Sequence, residues 1–367
     1  MRVIHLSGAR VWGGNEQQLL DIVPNLNKLG VENLVFGVPN TPLHNHCKEN
    51  NIEFIECKNL KLNKFVNYTY LKQVVKKFKP DILHLHTSDS VTVFTISDIL
   101  FNLKTPTVTS KKGMGKSMSF LSIYKYNYRN INKILCVSNA VKVAMENEVL
   151  KTKNKHKLTV VYEGINIKRI SNKSDKNLNL LVKNLKNKIV LGNIANHVNA
   201  KDLPTLINMM DYLVNYLKIM NVHLVQIGGF SQLTESLKTQ IDDLGLNNYI
   251  TLLGFQNDAS HYLDQFDIFV MSSQREGLPL TIYEAFYKKV PVVSTKAGGI
   301  PEIINDGENG FLAETKDYKM LANKIKILID KPELMTSFSE KSFAKLNELY
   351  TSEKAAKNIL EVYNSLV

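Results

Sequence analysis

Short apolar segments alternate with amphipathic ones along the first half of the chain. The apolar segments predict strands at residues 3–7, 34–38, 52–55, 82–85, 107–109, 134–137 and 158–161. After the first of them, Leu19, Ile22, Val23, Leu26 and Leu29 recur at helical spacing, with Pro24 at a predicted kink. This alternation predicts a parallel sheet covered by helices on both faces.

The same pattern begins again after a polar segment, residues 170–188, which we interpret as a linker and variable loop. Asp202 is a candidate cap of the next helix, with Pro204 in its first turn. The predicted strands are 189–195, 222–227, 250–253, 268–271 and 290–294, followed by helices at 317–330, 332–350 and 352–366. We therefore predict an α/β protein with domains at 1–169 and 189–351. Ligands are expected in a cleft at the carboxyl ends of both sheets.

Composition bounds the class of protein without defining its activity. The 367 residues are 44% hydrophobic and 22% charged, which is typical of a globular chain of two domains. Three cysteines without metal-ligand spacing predict reduced thiols in a cytosolic protein. No apolar run is long enough for a membrane-spanning helix or a signal peptide, so we expect a soluble or peripheral protein.

The net charge of +12 is concentrated in one stretch, since residues 58–157 hold 19 Lys and Arg against 5 Asp and Glu. A basic half favours an anionic partner, and a nucleic acid or an anionic membrane surface would both satisfy that charge. The alternative is a general abundance of Lys and Asn, as in proteins from AT-rich genomes.

The most informative chemistry follows the strand predicted at 268–271. Glu276 and Gly277 lie in a turn, Leu278 and Pro279 follow, and a helix is predicted from Leu280. Free backbone amides and the helix dipole at such a start favour a diphosphate. Glu284 lies about one turn into that helix, and a carboxylate can accept hydrogen bonds from two neighbouring hydroxyls of a sugar or a ribose. The alternative is that both glutamates are ordinary surface residues.

The order of Glu276-Gly277, Glu284-Ala285, Gly298-Gly299-Ile300, Asp306-Gly307 and Asn309-Gly310 resembles the signature of glycosyltransferase family 4. The resemblance implies the GT-B fold, with two Rossmann-like domains and a C-terminal helix, residues 352–367, that crosses back to the first domain. It also implies a retaining reaction, with Glu276 holding the transferred sugar, Glu284 the ribose, and the backbone of Gly277, Leu278, Pro279 and Leu280 near the diphosphate.

Two positions of the first domain fit the same resemblance. Gly13 and Gly14 lie between the first strand and the first helix, where backbone can approach a phosphate; the alternative is an ordinary turn. His84 and His86 point to the same face of a strand. His86, at the carboxyl end, is the better candidate for the site, although a lone histidine there is more often structural.

Two departures from the family pattern concern positive charge. The family has an arginine and, five residues later, a lysine that contact the diphosphate; here Lys201 remains, but Asn196 replaces the arginine. Lys112 occupies a position where the family often has histidine. Lys111 or Lys112 would partly replace the arginine, or would contact an acidic acceptor or only solvent.

We therefore predict a cytoplasmic hexosyltransferase that uses a nucleotide-sugar, most simply a UDP-sugar, with Glu276, Lys201, His86 and Lys112 as catalytic residues. No metal or other cofactor is expected, because cations and helix starts can stabilise the leaving group. The expected acceptor is a glycan or lipid-linked precursor of capsule or lipopolysaccharide, met at the inner face of the membrane. The alternatives are a nucleotide-sugar epimerase, a basic nucleic-acid-binding protein and an inactive scaffold.

Overall fold

The structure is a computed structural model and describes residues 1–113, 119–171, 176–183 and 185–367. Its internal contacts divide the chain into two compact units. The first unit comprises Met1–Asn166 and Thr351–Val367, and the second comprises Ile167–Tyr350. Both units are α/β, as the alternating pattern predicts.

The first unit contains a parallel sheet with the order β3-β2-β1-β4-β5-β6-β7 in its described residues. The strands are β1 (Arg2–Ser7), β2 (Glu32–Gly37), β3 (Phe54–Glu56), β4 (Ile82–Leu85), β5 (Thr107–Lys111), β6 (Lys133–Cys136) and β7 (Leu158–Val160). The helices between them are α1 (Gly14–Lys28), α2 (Pro42–Glu49), α3 (Phe65–Phe78), α4 (Ser88–Phe101), α5 (Phe120–Tyr126) and α6 (Asn139–Glu148). Strands β1 and β4 are neighbours in a register that places His5 opposite His84.

The second unit contains another parallel sheet, with the order β10-β9-β8-β11-β12-β13 where the structure describes it. Its strands are β8 (Ile189–Ile194), β9 (Val222–Ile227), β10 (Ile250–Leu252), β11 (Ile268–Met271), β12 (Val292–Thr295) and β13 (Phe311–Ala313). Its helices are α7 (Ile167–Ser171), α8 (Leu203–Asp211), α9 (Thr234–Asp243), α10 (Leu280–Tyr287), α11 (Ile300–Ile303), α12 (Tyr318–Asp330) and α13 (Pro332–Leu349). Strands β8, β11 and β12 are adjacent, so their carboxyl ends meet at one edge of the sheet.

The last helix, α14 (Ser352–Asn364), packs on the first unit, as predicted. Its Ala356, Ile359 and Tyr363 are buried in the same apolar cluster as Val3 and Ile22. A β-bridge joins Ile165 to Thr351. A side chain at Gly164 would collide with the Thr351 backbone, so glycine is required where the returning chain makes this contact.

The structure adds detail at three places that the sequence pattern did not predict. The segment 170–188, predicted as a linker and variable loop, buries Leu178, Val182 and Leu185 in its described part, and Leu178 N donates to Gln265 Oε1; residues 172–175 and 184 lie outside the described residues. Strand β13, which is three residues long, was not predicted. Asp202 precedes α8, but its side chain accepts from Thr205 Oγ1 instead of capping a backbone amide.

Two further expectations concern thiols and membranes. Cys47, Cys57 and Cys136 are buried and free of disulfides, and burial raises the pKa of Cys47 and Cys136 to about 12. Every helix in the described ranges is too short or too polar to cross a bilayer.

Candidate active site

In the second unit, three loops meet at the edge formed by β8, β11 and β12. The loop after β11 is tied to the loop after β8, because Gln274 N donates to Ala200 O and Ser272 Oγ donates to the carbonyl of Lys201. The end of β12 holds it from the other side, where Thr295 Oγ1 donates to Ser273 O at 2.5 Å. Residues distant in the chain are thereby fixed beside one another.

Lys201 and Glu276 form an ion pair at this edge. The distance from Lys201 Nζ to Glu276 Oε1 is 2.6 Å, and the two side chains are 24% and 10% exposed. Ser273 Oγ donates to the same carboxylate oxygen at 2.7 Å. The cation and the carboxylate are therefore held ready for polar contacts with a ligand, and the structure brings together two residues predicted from separate motifs.

Glu276 depends on a close backbone approach to the Gly298-Gly299 turn. Gly298 has φ +55°, and a side chain there would collide with the Glu276 carbonyl. The amide of Gly299 donates to Gly277 O at 3.0 Å. The Gly298-Gly299 turn therefore supports the backbone of Glu276 and Gly277. This close contact explains why position 298 must be glycine.

Helix α10 begins immediately after this turn. Pro279 precedes it and provides no side-chain cap, so the residue before the helix accepts no hydrogen bond from the first backbone amides through its side chain. Leu278 and Leu280 are buried, so their backbone, not their apolar side chains, would make polar contacts with a ligand. This arrangement has the chemistry of an anion-binding helix start, although the role of these residues stays a prediction.

Glu284 lies within α10 and pairs with a different cation. Arg169 Nη2 donates to Glu284 Oε1 at 2.8 Å, and the Glu284 side chain is 10% exposed. Arg169 was missed by the sequence analysis, which assigned it to the end of the first domain. No sequence motif marks Arg169, because only the position of helix α7 in the fold brings this residue to α10. Glu276 and Glu284 therefore each engage their own cation.

Asn196 lies just after β8, at the position where the family pattern has arginine. It is exposed, and its Oδ1 accepts from Gly229 N at 2.8 Å. The amide side chain therefore fixes the neighbouring glycine turn after β9. The positive charge of the family arginine is replaced here by a neutral contact within the protein.

In the first unit, three histidines form a buried network. His5 Nδ1 lies 2.9 Å from His86 Nε2, and His5 Nε2 lies 2.9 Å from Asn33 Oδ1. His84 contacts Tyr363 OH at 2.5 Å through Nδ1 and Ser110 Oγ at 2.8 Å through Nε2. Burial lowers the pKa of His5 to about 4 and moves the pKa of His84 and His86 well below the ordinary value, so all three are neutral at pH 7.

Lys112 is part of a buried ion pair in the first unit. Its Nζ lies 2.6 Å from Glu163 Oε1, and both side chains are 10% exposed. The alternative that Lys112 meets only solvent is wrong, because an acidic residue of the chain holds it. Lys111 is instead near the ring of Tyr126, and burial lowers its pKa.

Gly13 and Gly14 open helix α1. Gly13 is the residue before the helix, and its carbonyl accepts from Gln17 N. Glu16 in the first turn is buried, and desolvation raises its pKa.

The predicted site residues form two groups in the structure. Those in the first unit are Gly13, Gly14, His86 and Lys112, and those in the second are Asn196, Lys201, Glu276 and Glu284.

Among the described residues, His5, His84 and His86 form the one group with ring nitrogens close enough to hold a metal, within 4.8 Å of one another. Five of their six ring nitrogens already have hydrogen-bond partners. A metal would have to displace bonds of His5 and His84. The cluster is therefore better described as a hydrogen-bonded network, and the expectation that the enzyme needs no metal stays a prediction.

Comparison with known proteins finds relatives among glycosyltransferases. An uncharacterized glycosyltransferase of Methanocaldococcus jannaschii is 26% identical over 92% of this chain and 94% of its own length. The poly(ribitol-phosphate) alpha-N-acetylglucosaminyltransferase of Staphylococcus aureus is 27% identical over 67% of this chain and 47% of its own, so the match spans about half of that relative.

The crystal structure of Anabaena Alr3699/HepE in complex with UDP and glucose superposes with a TM-score of 0.86, at 20% identity and full coverage of both chains. This likeness establishes the GT-B fold. The family model "Glycosyltransferase Family 4" matches residues 12–169, and "Glycosyl transferases group 1" matches residues 169–345. The prediction of a transferase is confirmed, and the chain belongs to glycosyltransferase family 4.

Proposed function

We propose that this enzyme transfers a sugar, with retention at the anomeric carbon, from a UDP-sugar to a glycan or lipid-linked acceptor of surface polysaccharide synthesis. The observation that carries the proposal is the ion pair between Lys201 and Glu276 beside the start of α10. Support for uridine as the nucleotide comes from the similar Anabaena structures, which contain UDP or UDP-glucose.

The second unit would hold the donor. Lys201 and the amides at the start of α10 would contact the diphosphate, on which negative charge develops as the sugar bond breaks. Glu276 would accept hydrogen bonds from hydroxyls of the transferred sugar. Glu284 would accept from the ribose, with Arg169 orienting its carboxylate.

The ion pair between Lys201 and Glu276 gives this proposal a physical basis in the ligand-free protein. Each charge is largely removed from solvent, and each neutralises the other at 2.6 Å. When a donor binds, the diphosphate can take over the lysine and sugar hydroxyls can take over the carboxylate. The site would thus exchange one set of charge-assisted contacts for another instead of exposing unpaired charges.

The first unit would meet the acceptor. Its basic stretch, residues 58–157, suits an anionic or lipid-linked substrate. Phe120 and Leu121 at the start of α5 are 81% and 75% exposed and belong to that basic stretch. Exposed apolar side chains in a basic segment are typical of a surface that touches an anionic bilayer. The similar relatives include a capsular polysaccharide biosynthesis glycosyltransferase of S. aureus, CapM.

The donor is tested by thermal unfolding with UDP, GDP, ADP and a panel of their sugar conjugates. A ligand that binds only the folded protein raises its melting temperature. We expect UDP and one UDP-sugar to do so, and a Glu284→Gln variant to lose the shift. Stabilisation by GDP or ADP conjugates alone would overturn the assignment of the nucleotide.

The acceptor side is tested by sedimentation with phosphatidylcholine vesicles, with and without phosphatidylglycerol. We expect binding only to the anionic vesicles and a loss of binding in the variant F120S/L121S. The matched control is V11S/L180S, which removes two other exposed apolar side chains. Equal binding by both double variants would exclude α5 as the contact.

A further inference from the structure

The lining of a small cavity in the first unit includes polar atoms that have no hydrogen-bond partner. Its volume is about 20 Å³, room for one water molecule or one hydroxyl group. Its lining includes His5, Gln18, His86, Lys112 and Glu163. Buried polar atoms without a hydrogen bond are costly, so several of them at one cavity indicate a ligand group.

The unpartnered atoms are Gln18 Nε2, Gln18 Oε1 and His86 Nδ1. Gln18 is fully buried, while His86 and Glu163 are each 8% exposed. Glu163 also lines the cavity, and its Oε1 is paired with Lys112 Nζ at 2.6 Å. The three unpartnered atoms combine one donor group with two acceptors, which matches a hydroxyl that both donates and accepts.

The protonation of His86 is decided by residues that lie behind it. Asn33 Nδ2 donates to Asn27 Oδ1 at 2.7 Å and to Val31 O at 2.9 Å, so the amide orientation is determined and Oδ1 must accept. The atom that donates to Asn33 Oδ1 is His5 Nε2, at 2.9 Å. A neutral His5 therefore carries its proton on Nε2 and has a bare Nδ1.

The position of the proton on His5 determines the position of the proton on His86. Because His5 Nδ1 is bare, the 2.9 Å contact with His86 Nε2 requires that His86 Nε2 be the donor. Burial keeps both imidazoles neutral, as their lowered pKa values indicate. His86 then has an unprotonated Nδ1, and this is its nitrogen without a partner.

We propose that Asn33 and His5 are positioning residues that fix His86 in the Nε2–H tautomer, so that its Nδ1 accepts a hydrogen bond from a hydroxyl in the cavity. The hydroxyl belongs either to a bound water or to the acceptor substrate. The tautomer does not depend on the function proposed above, whereas its use by an acceptor hydroxyl rests on that function.

The test is long-range ¹⁵N–¹H NMR of the full chain labelled at histidine, which distinguishes a protonated from a bare ring nitrogen. The chain has nine histidines, and His86 is assigned by its loss in His86→Gln. In the wild type we expect His86 to carry its proton on Nε2. A wild-type His86 with a proton on Nδ1 would overturn the proposal without any variant.

Asn33→Leu removes the acceptor that orders the chain of hydrogen bonds. We expect His5 then to donate from Nδ1, and His86 to shift toward the Nδ1–H tautomer. The matched control is Asn154→Leu, an equally buried asparagine of the same unit that bonds to Asn127 and not to the histidines. Unchanged His86 nitrogens in folded Asn33→Leu would contradict the relay, while the control is expected to keep the wild-type tautomer.

Addition of glycerol distinguishes the two sources of the hydroxyl. A His86 Nδ1 resonance that moves and saturates with glycerol assigns the cavity to a ligand hydroxyl. A resonance unmoved by glycerol, with a magnetisation transfer from water, assigns it to bound water. If the resonance neither moves with glycerol nor receives magnetisation from water, His86 Nδ1 accepts no hydrogen bond from a hydroxyl. That outcome would overturn this part of the proposal. All these readouts are independent of sugar transfer, so failure of the proposed function would be recognised separately.

Discussion

Lys201 Nζ lies 2.6 Å from Glu276 Oε1, so the cation predicted for the diphosphate and the carboxylate predicted for the sugar form one ion pair. They come from loops after two adjacent strands, β8 and β11. Because each is the other's partner, a change in one alters the charge available to the other. The two residues therefore give opposite expectations for nucleotide binding.

Lys201→Ala is expected to lower the turnover number by about 10²–10³, the range for loss of one group that stabilises developing charge. It should also weaken binding of UDP. Steady-state transfer assays and calorimetry measure the two effects. The matched control, Lys238→Ala, removes a lysine from an exposed pair with Glu235 and should change neither. Near-normal turnover in folded Lys201→Ala would remove it from the mechanism.

Glu276→Ala is expected to abolish sugar transfer while UDP binds as tightly as before or more tightly. Removing the carboxylate releases Lys201 for the diphosphate, and the sugar contacts are absent from free UDP. Calorimetry with UDP tests the affinity, with Glu314→Ala, from the exposed pair with Lys296, as control. A parallel loss of UDP binding and transfer would mean that Glu276 contacts the nucleotide.

The pair of Lys112 and Glu163 separates a structural from a chemical role for Lys112. Lys112→Met leaves a buried carboxylate unpaired, so we expect a loss of about 3–5 kcal/mol in the free energy of unfolding. The double variant Lys112→Met/Glu163→Leu removes both charges and should recover most of that stability. If it also recovers transfer, Lys112 is structural; if transfer stays low, the cation serves the reaction.

The buried histidines predict a loss of stability in mild acid. The pKa of His5 is about 4 in the folded protein and about 6.5 when unfolded, so the unfolded chain binds the extra proton between these values. The contribution of each such histidine to the free energy of unfolding is fully present above about pH 6.5. It falls by about 1.4 kcal/mol per pH unit as the pH approaches 4. His84 and His86 shift in the same direction.

Thermal unfolding of the wild type at pH 7, 6 and 5 measures this slope. His84→Gln should make it shallower, because one titrating group is lost. A melting temperature that stays constant across this range would show that the imidazoles protonate without cost, contrary to their burial.

Chelation is expected to leave the transfer rate unchanged. In our proposal Lys201 and backbone amides stabilise the diphosphate, and the described histidine network already uses five of its six ring nitrogens. Assays before and after EDTA treatment test this. Activity that disappears with EDTA and returns with one divalent cation would contradict the metal-independent mechanism.

Sequence alone predicted the repeated α/β pattern, the family and the residues of the Glu276 loop. These features are local, because strand periodicity, a glycine turn and a helix start lie within a few residues of one another. Even there, the need for glycine at position 298 comes from a tertiary contact, because its loop approaches the Glu276 backbone.

Tertiary structure decided which charges and hydrogen bonds are shared. Arg169 reaches Glu284 across 115 positions, and Asn33 acts on His86 through His5, although no spacing connects these residues. The partner of a buried polar group is selected by packing and desolvation, which depend on all the elements around it. Local pattern therefore determined which chemistry the chain carries, and the fold determined which atoms are paired with one another.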